Sequence, residues 1–435
     1  MVSLLKKLNS FLILVSILLA VLFGILTPDI FEPTRFLGTI FINLLKAFAL
    51  PLICSALVIA IGGMGSEMGK LKSIARGAIA YAFVSEVIAI SIALLLFNFF
   101  KPGVGVNPSL IQSADQLSEP GKTLSASDFA LSVFPSNIFD SLAKFNLLPV
   151  VCFFLILGLC LCKMGKEANP VLNIAKTFRD ACAIALDHIM LLAPIGIFSL
   201  VGSGIASSQA SGDFRAQLLA LANYVALLLV GLFLHGLWQL LLAAFTAKLN
   251  PSHIIRSCCP VFSMAFGTSS SVSTLPLAIK TAEELGACQK VTRLMLPVTA
   301  TINIGGMMMY EVTAALFFTQ VLGIELDFGQ QILLGIACIL GGFAAGGIPE
   351  TSLVSLVMVF KTVNIPISAI SILLPLDRIL DRFRTVINIF GNLCGVLTVS
   401  SKSSFTKLEP GVKKRSKTWL KETVHLDGSK GISGY

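Results

Sequence analysis

The chain has 435 residues, of which 55% are hydrophobic and only 13% charged, with a formal net charge of +9. Soluble domains carry about 25% charged residues, so a water-soluble globular protein is excluded. Uncharged runs at 11–27, 216–247, 257–279, 294–310, 329–349 and 385–401 approach or exceed the ~20 residues that span a hydrocarbon core. The composition therefore describes a polytopic all-α membrane protein.

Taken in order, spans are predicted near 11–27, 39–62, 77–100, 145–162, 181–202 and 216–247. The first is read as a retained anchor, because no small-residue cleavage pattern follows it. Basic residues collect on one side of the membrane. Lys6 and Lys7 precede the first span, Lys70, Lys72 and Arg76 follow the second, and Lys163, Lys166, Lys176 and Arg179 follow the fourth. Lys248 and Arg256 follow the sixth. Short cytoplasmic loops attract Lys and Arg, so both termini are expected in the cytoplasm. The polar linker 101–127 is read as external. The basic tail suits anionic lipid rather than nucleic acid, and its Ser, Lys and Gly content predicts disorder.

Beyond residue 250 the pattern changes. Apolar segments are interrupted by Gly267-Thr268-Ser269-Ser270-Ser271, by Gly305-Gly306, and by Gly341-Gly342 through Ala344-Ala345-Gly346-Gly347-Ile348-Pro349. Non-helical backbone at membrane depth is tolerated only where protein or a water-filled cavity satisfies it. Segments 257–290 and 330–361 occupy corresponding places before two ordinary spans, 293–322 and 366–400. Paired broken segments point to a transporter binding site, and both are read as re-entrant hairpins. Glycines that merely let helices pack closely are the alternative.

The last span carries the most informative residues. Asp377, Asp381, Arg384, Asn388 and Asn392 are spaced 4, 3, 4 and 4, which places them within an arc of about 80° on one helix face. Charge at this depth marks a route for ions or polar substrates. Two acids, a guanidinium and two amides on one face suit a small zwitterion or ion. Glu86 and Asp187 also lie in spans, where each could pair with a lysine or reach an interface, and neither is assigned to the site. The ten cysteines and four histidines show no metal-ligand spacing. The serine run lacks the GxSxG elbow and positioned histidine of a hydrolase, so the chain is not expected to be an enzyme.

Four ordered motifs resemble the dicarboxylate/amino acid:cation symporters, which include the glutamate transporters. Ser269-Ser270-Ser271 with Thr274-Leu275-Pro276 resembles the tip of that family's first hairpin. Ala300 through Gly306, followed by Tyr310-Glu311, resembles its unwound seventh span. Ala344 through Pro349 resembles the second tip, and Asp377 through Asn392 the polar eighth span. The resemblance implies eight transmembrane helices plus two re-entrant helical hairpins. Residues 1–250 would hold the first six spans. Spans 1, 2, 4 and 5 would form a trimerising scaffold, with spans 3 and 6 belonging to the transport domain. Residues 251–400 would form the transport core and 401–435 the cytoplasmic tail.

The same resemblance assigns Arg384 to a side-chain carboxylate, Asp381 to an ammonium group, and Asn388 and Thr385 to the α-carboxylate end. Ser269, Ser270, Ser271, Gly347 and Ile348 at the two tips would complete the substrate site. Asn303, Asn388 and Asn392 are candidate sodium ligands. Relatives usually read Asn-Met-Asp-Gly-Thr where this chain has Asn303-Ile304-Gly305-Gly306-Met307, and many carry an aspartate where it has Asn392. Two hard anionic ligands are thus missing. Glu311 stands where proton-cotransporting relatives also carry glutamate, which shifts the expected coupling toward protons. Glu350 is an acid on the second tip, read as a rim residue. The expected function is uptake of glutamate or aspartate with sodium and/or protons, without a bound cofactor. C4-dicarboxylate symport is the near alternative, and a sensor or channel derived from a transporter is a remoter one. The expected location is the plasma membrane, or the inner membrane of a prokaryote, with lipid and two further copies of the chain as partners.

Overall fold

The computed structural model of the chain describes residues 2–63, 68–108, 111, 134, 136–144, 147–210, 214–345, 352–366 and 369–402. The tail beyond 402, most of the linker 101–127, and the tip holding Gly347, Ile348 and Glu350 lie outside the described residues. Among those described there are fifteen α-helices and no strand. They are α1 (Val2–Leu26), α2 (Phe31–Gly62), α3 (Met68–Phe100), α4 (Ile138–Ala143), α5 (Leu147–Met164), α6 (Asn169–Ile189), α7 (Ala193–Ala210) and α8 (Phe214–Ala247). After these come α9 (Pro251–Thr268), α10 (Ser271–Glu284), α11 (Gln289–Ile302), α12 (Gly305–Val321), α13 (Phe328–Ala345), α14 (Ser352–Thr362) and α15 (Ile370–Lys402).

Helical stretches Arg76–Phe100, Pro149–Ala206, Arg215–Ala247 and Leu376–Ser401 are long and apolar enough to cross a membrane. Val15–Leu26 and Pro28–Phe41 together form a further apolar pair, bent by 118° where Pro28 interrupts the chain. Large apolar side chains such as Leu95, Phe99, Phe233 and Phe245 lie exposed on the outside of the bundle. In water such a surface would aggregate, whereas lipid tails accept it.

The fifth predicted span, 181–202, differs from what folds. It straddles α6 and α7, which are separated by a short tight turn, Met190–Leu192. Pro194 has no N–H to offer the carbonyl of Met190, so the regular ladder stops there. The first half, α6, carries its charges on the surface, with Arg179 Nη2 2.7 Å from Asp180 Oδ1.

Two packed groups emerge. The helices α1, α2, α5, α6 and α7 lie against one another. Their small cores are built from Ile13, Phe41, Ile189, Ala193 and Ile197, and from Val58, Leu161, Ala168 and Leu172. The other group surrounds α12. Every α12 residue except Gln320 is buried, as expected of a helix that is apolar all round, and it touches α3, α8, α13, α14 and α15. Phe97, Tyr224, Phe317, Phe318 and Phe360 form its continuous aromatic seam.

Candidate functional site

Two local interruptions position the site. The first lies between α9 and α10, where Ser269 adopts a left-handed backbone (φ 50°) and Ser270 caps α10 by accepting from the Ser273 amide at 3.2 Å. Serine is a strong N-cap because its hydroxyl satisfies an otherwise orphaned N–H. The helices on either side pack together and both touch α15. The second interruption is the predicted unwound segment. Asn303 and Ile304 leave the helical region (φ −106° and −122°), so α11 ends and α12 starts afresh two residues later.

The break at 303–304 meets the polar face of α15. Asn303 Nδ2 donates to Asn392 Oδ1 at 2.9 Å, and the Gly306 amide donates to Asn388 Oδ1 at 2.8 Å. A Cβ on Gly306 would sit 3.0 Å from both Arg384 O and Asn388 Oδ1, so glycine there permits the close approach. One turn further along α15 lies Arg384, only 1% exposed. Its Nη2 donates to Asp377 Oδ1 at 2.6 Å and to Asp381 Oδ1 at 3.1 Å. The guanidinium carbon lies 4.0 Å from the centre of the Tyr310 ring, within cation–π range.

The sequence pattern places both Asp377 and Asp381 on the face of Arg384, while the family resemblance assigns a role to Asp381 alone. In the structure Asp377 is the closer and more deeply buried partner, its side chain 4% exposed against 20% for Asp381. The signal was its position seven residues from Arg384, two helical turns on the same face. Thr385 is buried beside the pair. Arg382 ties the first interruption to α15, with Nη1 3.5 Å from the Phe266 carbonyl and its guanidinium over the Phe266 ring. Asp381, Arg384, Thr385, Asn388, Asn392 and Asn303 therefore share one seam. Ser269, Ser270 and Ser271 lie at the turn that packs against it.

Of the three candidate sodium ligands, Asn388 and Asn392 already accept hydrogen bonds through their side-chain oxygens, whereas Asn303 Oδ1 has no partner among the described residues. Glu311 is fully buried and accepts from Ser355 Oγ of α14. Glu86 corrects an expectation. It neither pairs with a lysine nor reaches an interface: it is fully buried, and its carboxyl meets the Ile304 backbone instead. The side chain of Asp187 lies outside the described residues.

Residues 10–402 match the family model of the sodium:dicarboxylate symporter family. The chain belongs to this family. Its relatives cover most of its length. A proton/sodium-glutamate symport protein of Geobacillus stearothermophilus is 29% identical over 395 residues, covering 89% of this chain and 92% of that protein. A proton/glutamate-aspartate symporter of Escherichia coli (strain K12) is 30% identical over 372 residues, covering 83% and 84%. A neutral amino acid transporter B(0) of Oryctolagus cuniculus is 30% identical over 394 residues, covering 83% of this chain and 72% of that protein. Near-equal identity to relatives with acidic and neutral substrates means that substrate class in this family must be argued from the site.

Proposed function

We propose that this chain is a secondary active symporter that takes up an acidic amino acid, glutamate or aspartate, together with a sodium ion and/or a proton. The observation that carries this reading is Arg384, a buried guanidinium on the polar face of α15. Its planar fork suits a carboxylate bidentately, whereas a neutral side chain would make no use of that charge. Asp381, the more exposed of the two acids, takes the ammonium group. Asn388 and Thr385, with Ser270, Ser271 and the second tip at Gly347 and Ile348, hold the α-carboxylate end.

In this reading the fold is eight spans plus two re-entrant hairpins, α9–α10 and α13–α14. The group around α12 moves as the transport domain, by an elevator-type exchange of access. The group α1, α2, α5, α6 and α7 is the scaffold through which three copies associate, with both termini in the cytoplasm. Coupling leans on Glu311, a sealed carboxyl that can travel with a proton. Asn303, Asn388 and Asn392 offer only neutral oxygens to sodium.

The test uses purified protein in liposomes. Labelled glutamate should accumulate under an imposed ion gradient and be displaced by aspartate more strongly than by succinate. Preference for succinate would favour the C4-dicarboxylate reading, which has less need of Asp381. In a Glu311→Gln variant, accumulation driven by a pH gradient should collapse; if it persists unchanged, Glu311 is not the coupling group.

A further inference from the structure

The core holds a second polar cluster that the substrate site does not use. Ser85 and Glu86 on α3, and His235 and Gln239 on α8, are each at most 1% exposed. His235 and Gln239 are one turn apart and share a side of α8. Gln239 Nε2 lies 2.8 Å from His235 Nε2, and Ser85 Oγ lies 3.4 Å from each of these nitrogens. With Gln239 donating, His235 Nε2 accepts and the ring proton sits on Nδ1, which has no partner among the described residues.

Across from the imidazole stands Gly305. A Cβ there would meet His235 Nε2 at 2.8 Å and Ala89 Cβ at 3.3 Å. On α15, a Cβ on Gly391 would meet Gln239 Nε2 at 2.4 Å. The two glycines on facing helices thus provide the space that the α8 side chains fill. Glu86 follows Ser85 on α3, and its carboxyl lies beside the Ile304 backbone, one residue from Gly305, without a hydrogen bond of normal geometry. Ionisable groups on the helices packed against α3 are His235 of α8, the exposed Lys290 and Arg293 of α11, Tyr310 and Glu311 of α12, Cys338 of α13 and the Arg384 cluster of α15.

A buried carboxylate with only backbone beside it and no counter-charge is costly, and such a group is most easily accommodated with a proton or other cation. Sodium needs several oxygens around it. Here His235 Nε2 fills the place beside Gly305, and imidazole is a poor ligand for a hard cation. A proton needs one oxygen. We propose that Glu86 carries a co-transported proton, and that His235, wedged against Gly305, keeps sodium out of the same seam. The proposal rests on the symport reading and adds a proton site to Glu311.

Reconstituted full-length protein tests it with labelled glutamate as the probe. Glu86→Gln should lose about tenfold or more of the accumulation driven by an inward proton gradient, a usual size for coupling between two sites. Glutamate exchange, which moves no net proton, should persist in that variant, and Glu86→Asp should recover part of the gradient response. A His235→Ala/Gly305→Asp double variant should gain stimulation by sodium. Normal pH-driven accumulation in Glu86→Gln would overturn the proton assignment. Parallel loss of exchange and accumulation in both Glu86 variants would also overturn it, by making Glu86 structural. A double variant indifferent to sodium would overturn the exclusion by His235. If the wild-type protein neither exchanges nor accumulates any acidic amino acid, the symport reading itself falls, and this proposal with it.

Discussion

The two buried polar clusters differ in one respect. Around Arg384 opposite charges face each other at hydrogen-bond distance, with an aromatic ring over the guanidinium. Around Glu86 and His235 the groups are equally buried, yet no ion pair forms among the described residues, the carboxyl meeting only the Ile304 backbone and the ring Nδ1 nothing. A paired cluster holds its shape by itself, and removing a member strands the others. An orphaned cluster is costly until something arrives to satisfy it. The first arrangement suits a scaffold for recognition, and the second suits a guest that comes and goes.

The sharpest way to break this contrast is Arg384→Ala. It leaves Asp377 and Asp381 without their counter-charge and should destabilise the protein by about 3–5 kcal/mol, while abolishing glutamate binding. Thermal unfolding and equilibrium binding would read both effects. Arg384→Lys keeps the charge and should keep the fold, but it loses the planar fork and with it most of the affinity.

A smaller effect is expected at Gly305. Gly305→Asp forces a side chain against His235 and Ala89, costing about 1–3 kcal/mol through overpacking. Adding His235→Ala should recover much of that loss, so a double-mutant cycle should show coupling of about 0.5–3 kcal/mol. Strict additivity would mean that His235 does not occupy the position 305 space. The smallest effect belongs to Ser355→Ala, which removes the donor to Glu311 and should cost about 1–2 kcal/mol in unfolding measurements.

The parts of this protein that were legible from sequence are those whose signal is local. Asp377 to Asn392 declared a polar face because charge is rare in an apolar segment and its spacing fits one helix side. Asn303 to Gly306 and Ser269 to Ser271 declared breaks in the helix, because small and capping residues there disfavour continuity, and the chain does leave the helical region at both places. The cluster of Glu86 with His235 was not legible. These residues lie on α3 and α8, some 150 positions apart, and each alone looks like an ordinary exception in an apolar helix. Nor does Gly305 announce that an imidazole from another helix fills its missing side chain. The turn inside the fifth predicted span was missed for a simpler reason. Hydropathy averages across the turn at Met190–Leu192, whereas the backbone obeys Pro194.

The trio of Asp377, Asp381 and Arg384 has a consequence for the order of events. Two acids and one base leave the trio itself with a formal surplus of one negative charge. An incoming glutamate is itself a net anion, and at about 4 Å two like charges repel by about 4 kcal/mol at an effective dielectric of 20. If the chain is the symporter proposed above, a cation that enters before or with the anion would offset that repulsion, beside what the Arg378 charge already offsets at Asp381.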